Sequence, residues 1–157
     1  MQKNQYVNLD HICIKHTKTN MNNVEVVSKL GDWFSTKLQC IQYHDDTKAY
    51  VVGVLSKYKK IDEKEDLSNS SIILEYVYAS ETSSFASYQK IGDWVLWCSV
   101  LHPEHIKDYR RLILNTGQMS YYSCYKIMNK SWPVYENLAD SLPVIVNDVR
   151  TALFLSK

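Results

Sequence analysis

Glycine and proline are scarce: four Gly and three Pro in 157 residues. That excludes collagen-like and low-complexity chains. It also counts against a barrel or sandwich of many strands, which needs turn chemistry at every reversal. Charge of one sign is missing too. Eighteen Lys and Arg against 17 Asp and Glu leave a net charge of +1. A dedicated nucleic-acid binder usually carries a basic face that releases counterions, so no nucleic-acid partner is expected. No long apolar run exists. The longest uncharged stretch, Leu112 to Tyr125, carries Asn115, Thr116, Gln118, Ser120 and Ser123. A membrane span needs about 20 mostly apolar residues, and the first residues lead into no signal-like segment. The expectation is a cytoplasmic, soluble protein with no membrane partner.

The four cysteines, Cys13, Cys40, Cys98 and Cys124, form no CxxC pair. Zinc-knuckle and thioredoxin-like motifs are thereby excluded, and buried reduced thiols are expected.

What is present is a near-average globular composition, 45% hydrophobic and 22% charged. One domain over 1–157 is the prior for this length, with residues 1–20 as a possible extended arm. Twelve tyrosines and four tryptophans stand out. Such side chains combine a large apolar body with a polar tip and serve a core rim or an interface equally well.

Helical periodicity runs through most of the chain. Val24, Val27, Leu30, Phe34, Leu38 and Ile41 recur at steps of three and four, a one-sided amphipathic helix. Asp45 or Asp46 caps a second helix through Tyr50, Val51, Val54, Leu55 and Tyr58. The mixed-charge stretch 59–66 reads as a solvated linker. A third helix runs through Ile72, Ile73, Tyr76, Val77 and Ala79, with Ile72-Ile73-Leu74 equally able to begin a short strand. Residues 84–101 are apolar on most of their circumference and are expected to be the core helix. Pro103, Pro133 and Pro143 sit at plausible first helical positions, and Gly117 reads as a break. The expected fold is all-α, a compact irregular bundle of seven or eight helices.

Candidate chemistry is thin. There is no Gly-x-Ser-x-Gly elbow, no Walker loop and no Gly-x-Gly-x-x-Gly fingerprint. Three histidine constellations remain. His11, Cys13 and His16 offer too few ligands on one side for a closed zinc site. In His102-Pro-Glu-His105 two imidazoles three apart could share a metal, with Glu104 off to the side, although a solvated helix start explains the segment as well. His44-Asp45, with His16 upstream and Asp108 or Asp148 downstream, has the His, His-Asp, Asp order of a metal-dependent HD-type phosphohydrolase. There a cation activates water for attack on phosphate; helix capping explains Asp45 equally. The metal candidates are therefore His16, His44, Asp45, His102 and His105, but no catalytic residue, metal or other cofactor is assigned. Trp94, Trp97, Tyr121 and Tyr122 are candidates for an interaction face or for the wall of a small-ligand pocket.

Several spaced segments, Ile91-Gly92-Asp93-Trp94-Val95-Leu96-Trp97, Leu101-His102-Pro103-Glu104, Ser120-Tyr121-Tyr122, Tyr125, Val134-Tyr135-Glu136-Asn137-Leu138-Ala139 and Leu142-Pro143-Val144-Ile145-Val146, together resemble a family of bacterial all-helical proteins with no assigned activity. Tyr50-Val51-Val52 to Leu55 resembles an earlier helix of the same family. The resemblance implies a compact helical domain and no activity. Val100-Leu101-His102 departs from the family's Gly-Phe-Phe-like turn. Gly92 is expected to allow close helix packing, and Asp93 to take a tyrosine hydroxyl or a helix N-terminus as its partner. By elimination, the expected function is non-enzymatic: a small protein-interaction domain, with an unidentified protein partner or a second copy of itself.

Overall fold

The computed structural model describes residues 31–32, 36–37, 45–57 and 69–155. Five α-helices run through these residues: α1 (Asp45–Lys57), α2 (Asn69–Thr82), α3 (Phe85–Leu101), α4 (Arg110–Ile127) and α5 (Pro133–Arg150). No strand occurs among them. Two 3₁₀ turns, Pro103–His105 and Lys107–Tyr109, join α3 to α4, and a π-helical turn, Thr151–Leu155, follows α5. The fold is all-α, but the count of seven or eight helices is not supported. The first expected helix, over 24–41, lies outside the described residues apart from the helical pairs 31–32 and 36–37.

Helix α3 is the centre, touching α1, α2, α4 and α5. Ile91, Val95, Leu96, Val100 and Leu101 on it are almost wholly excluded from water. Its start is set by Ser84, whose hydroxyl accepts from the Ser87 N–H at 3.2 Å, satisfying one donor the first turn leaves open. Ser83, at φ 52°, makes the reversal from α2. Asp45 and Asp46 lie in the first turn of α1, where the helix dipole favours acids. Asn137 Nδ2 donates to the buried Thr47 Oγ1 at 3.1 Å and ties α5 to α1.

One expected helix boundary is absent, for a reason of packing. Gly117 does not break α4; it lies within it. A Cβ there would stand 2.7 Å from Val95 Cγ1 and 3.0 Å from Leu142 Cδ2. The glycine thus lets α4 approach α3 and α5 closely, at a helix-propensity cost of about 1 kcal/mol. Pro143 stands where a helix start was expected: α5 consists of two helical segments that meet across a kink at Ser141 (φ −125°, ψ 17°), and Pro143 lies in the first turn of the second. Proline has no N–H to offer the carbonyl four residues back. That carbonyl, Ala139 O, accepts instead from Gln118 Nε2 at 2.8 Å. A side chain of α4 thus replaces the missing backbone donor at the kink.

The expected helix from Pro103 is also replaced. His102 leaves helical geometry at φ −136°, ψ 55°. Two successive 3₁₀ turns then carry the chain to Arg110 around Ile106, which is fully buried.

Candidate functional site

A polar cluster lies at the meeting point of four helices. Asp93 of α3 is buried and accepts two phenolic hydroxyls on one oxygen, Oδ1: Tyr50 of α1 at 2.6 Å and Tyr121 of α4 at 2.8 Å. Gln89, one turn earlier on α3, donates through Nε2 to Tyr135 Oη of α5 at 2.8 Å. The Tyr50 ring meets those of Tyr121, Tyr135 and Trp132 edge to face, at centroid distances of 6.1, 5.5 and 6.3 Å. Gly92 makes room for this arrangement, since the Tyr121 ring lies where its Cβ would be. Asp93 therefore has tyrosine partners, one of the two kinds its sequence context suggests; Tyr50 and Tyr135 were named in the sequence only as members of helical segments, and Gln89 not at all.

The electrostatics make this cluster a structural key. Burial, then the nearby Asp93 carboxylate and its hydrogen bond, hold the Tyr50 hydroxyl protonated far above the ordinary phenol range. Burial raises Tyr135 as well. Burial, with Asp93 adding to it, pushes the Cys124 thiol up to about 12. A thiol so protected carries little thiolate near neutral pH; the Tyr50 and Tyr121 hydroxyls donate to Asp93, and the Tyr135 hydroxyl accepts from Gln89.

These shifts carry a pH dependence. A phenol or thiol whose folded pKa lies above its unfolded value keeps its proton longer when folded. Its contribution is complete below the unfolded pKa and declines as pH rises beyond it. The window opens near the ordinary values of the two groups, 9.0 for Cys124 and 10.0 for Tyr50. Each group should then remove about 1.4 kcal/mol of stability per pH unit. Urea unfolding at pH 7, 9 and 10.5 is expected to give a midpoint that is level to pH 9 and falls steeply beyond. A midpoint unchanged at pH 10.5 would exclude this linkage.

A second constellation sits on the surface at the C-terminal end of α3. His102, Glu104 and His105 each place a ligand atom within 4.8 Å of the others. Glu104 Oε1 lies 3.6 Å from His102 Nδ1 and 3.5 Å from His105 Nε2. Glu104 is thus between the imidazoles and not off to the side, because the segment folds as a 3₁₀ turn. With three residues per turn, positions 102 and 105 are brought over one another. The His102 N–H bonds Cys98 O at 2.8 Å, ending α3, and the His105 N–H bonds His102 O at 3.0 Å. The Trp97 ring lies 4.8 Å from that of His102.

His16 and His44 of the phosphohydrolase constellation lie outside the described residues, as do Cys13 and Cys40. Asp45 is an exposed first-turn residue of α1. Trp94 and Tyr121 are buried in the core, Tyr122 points outward on α4, and Trp97 is half-buried against His102. Cys98 and Cys124 are buried thiols.

The outer surface carries two apolar rows. Leu74, Val77 and Tyr78 stand on α2, and Leu112, Met119 and Tyr122 on α4, each between 47% and 70% exposed. Their spacing places each set on one helix face. Lys126 covers the Tyr122 ring, its ammonium 4.9 Å from the centroid. Helix α2 carries Glu75 and Glu81 and no basic residue. Helix α4 carries Arg110, Arg111 and Lys126 and no acidic one. Comparison with known proteins adds no relative: no family model, no curated protein and no solved structure matches the chain.

Proposed function

We propose that this protein is a non-enzymatic interaction domain whose docking surface is the outward face of α2 and α4, and whose first partner is a second copy of itself. The observation that carries the reading is the pairing of two apolar rows of opposite charge on helices that touch each other. Scattered exposed apolar residues are ordinary. Aligned rows rimmed by charge are the pattern of an interface.

Charge selects the pairing. Placing α4 against α4 of a second copy would bring Arg and Lys ends together, and α2 against α2 would oppose glutamates. Placing α2 against the partner's α4 joins acidic to basic ends along apolar rows. A two-fold axis makes that contact twice, as an isologous dimer requires. The polar cluster fits this division: it fixes the helices from within, and the outer rows remain for recognition.

Native mass spectrometry of the full chain tests the reading. A dimer is expected for the wild type and a monomer for Met119→Glu, which puts a charge in the middle of the α4 row. Because Met119 is half exposed, the variant should keep its folding stability to within about 0.5 kcal/mol. A wild-type monomer at tens of micromolar, or a dimer indifferent to Met119→Glu, contradicts the reading.

A further inference from the structure

We infer that His102, Glu104 and His105 form a binding site for one divalent transition-metal ion of the zinc class. Two imidazoles and one carboxylate are the donor set that zinc takes in open, three-ligand sites. Hard ions such as Mg²⁺ and Ca²⁺ prefer all-oxygen sites and are disfavoured here.

Distance supports the assignment. A tetrahedral ion with bonds of about 2.0–2.2 Å separates neighbouring ligand atoms by roughly 3.3–3.6 Å. The carboxylate oxygen already stands 3.6 and 3.5 Å from the two imidazole nitrogens. The remaining edge, within 4.8 Å, closes by rotation of His105, whose side chain is 53% exposed. As a carboxylate–imidazole contact alone, an exposed cluster of this kind contributes little to stability.

The scaffold holds these donors in place. Pro103 fixes one backbone angle of the turn. Ile106, fully buried, anchors the turn from below. The Cys98 thiol donates to His102 O at 3.5 Å, and the Arg150 guanidinium donates to Val100 O. The turn also caps the C-terminal end of α3, where the helix macrodipole is negative and favours a cation. Three protein ligands leave at least one coordination position for water or a donor from another molecule.

The experiment is calorimetric titration of the full, chelator-treated chain with zinc chloride, repeated for His105→Ala and Glu104→Gln. Both changes are on an exposed turn, and circular dichroism checks that each variant folds. One equivalent of Zn²⁺ should bind the wild type, and each variant should weaken binding about tenfold or more. A cobalt titration should give the intense visible bands of a tetrahedral site, and these should be lost in His105→Ala. Excess Mg²⁺ should not displace the zinc. Absence of saturable zinc binding overturns the assignment. So does binding that keeps its affinity in both variants, which would place the ion on His11, His16 or His44 instead.

Discussion

Asp93→Ala is expected to destabilise the fold by about 3–5 kcal/mol, because two buried hydroxyl donors lose their acceptor and each orphaned group costs about 1–3 kcal/mol. Both hydroxyls point at the same oxygen, at 2.6 and 2.8 Å. Tyr121 is fully excluded from solvent, so water cannot readily replace the carboxylate. The loss is a large share of the 5–15 kcal/mol that typically separates folded from unfolded states. Asp93→Asn keeps a carbonyl oxygen and should cost only about 1–2 kcal/mol, the neutral acceptor being the weaker one. Combining Asp93→Ala with Tyr121→Phe should cost less than the sum of the two, since removing the donor also removes its orphaning. Urea unfolding measures all of these. A loss below 1 kcal/mol for Asp93→Ala would mean that the tyrosines find other partners and that the cluster does not organise the helices.

The next largest effect is expected at Gly92. An alanine Cβ there would lie 2.7, 2.8 and 2.9 Å from three ring atoms of Tyr121. Ordinary carbon contacts are about 3.5–4.0 Å. The ring cannot swing aside without giving up its bond to Asp93, so α3 and α4 must separate. Overpacking of this kind costs about 1–3 kcal/mol, and here the lost hydrogen bond adds to it. The better helix propensity of alanine returns about 1 kcal/mol. Gly92→Ala should therefore destabilise by about 2 kcal/mol net. Gly53→Ala is the internal control. Gly53 is exposed on α1 with nothing within 4 Å of an added Cβ, so the same change there should stabilise by about 0.5–1 kcal/mol. Thermal melts of the two variants should move in opposite directions, and movement in the same direction would contradict the packing argument.

These two sites show what was legible in the sequence. The continuous apolar circumference of residues 84–101 marks a helix with neighbours all round, and α3 has them. Gly92-Asp93 within that helix marks a close approach and a buried acid in need of donors, which Tyr50 and Tyr121 supply. One boundary differs because its signal is local while its resolution is tertiary: Gly117 looks like a break until α3 packs over it. Pro143 does follow a break, the kink at Ser141, and Gln118, on another helix, satisfies the carbonyl that proline abandons. Gln89 carried no signal, and Tyr135 stood only within a segment of the resemblance, because a tyrosine at an apolar position does not announce which hydroxyl partner the fold will provide. Glu104 was misjudged on the assumption of α-helical spacing, where the chain makes a 3₁₀ turn. The outer rows were visible only in part. Leu74, Val77 and Tyr78 have the helical spacing of a core stripe, and only the packing of Ile72 and Ala79 shows that the core lies on the other side.

If α2 of one copy meets α4 of the next, two chains damaged on different helices should repair one another when mixed. Leu74→Glu damages the α2 row and Met119→Glu the α4 row, so each variant alone should be a monomer by native mass spectrometry. Mixed, they can form a heterodimer in which one of the two contacts is wholly wild-type: α2 of the Met119→Glu chain against α4 of the Leu74→Glu chain. The mixture should regain dimer while neither component does. A dimer lost in one variant but kept in the other, or two monomers that stay monomeric when mixed, would contradict this pairing.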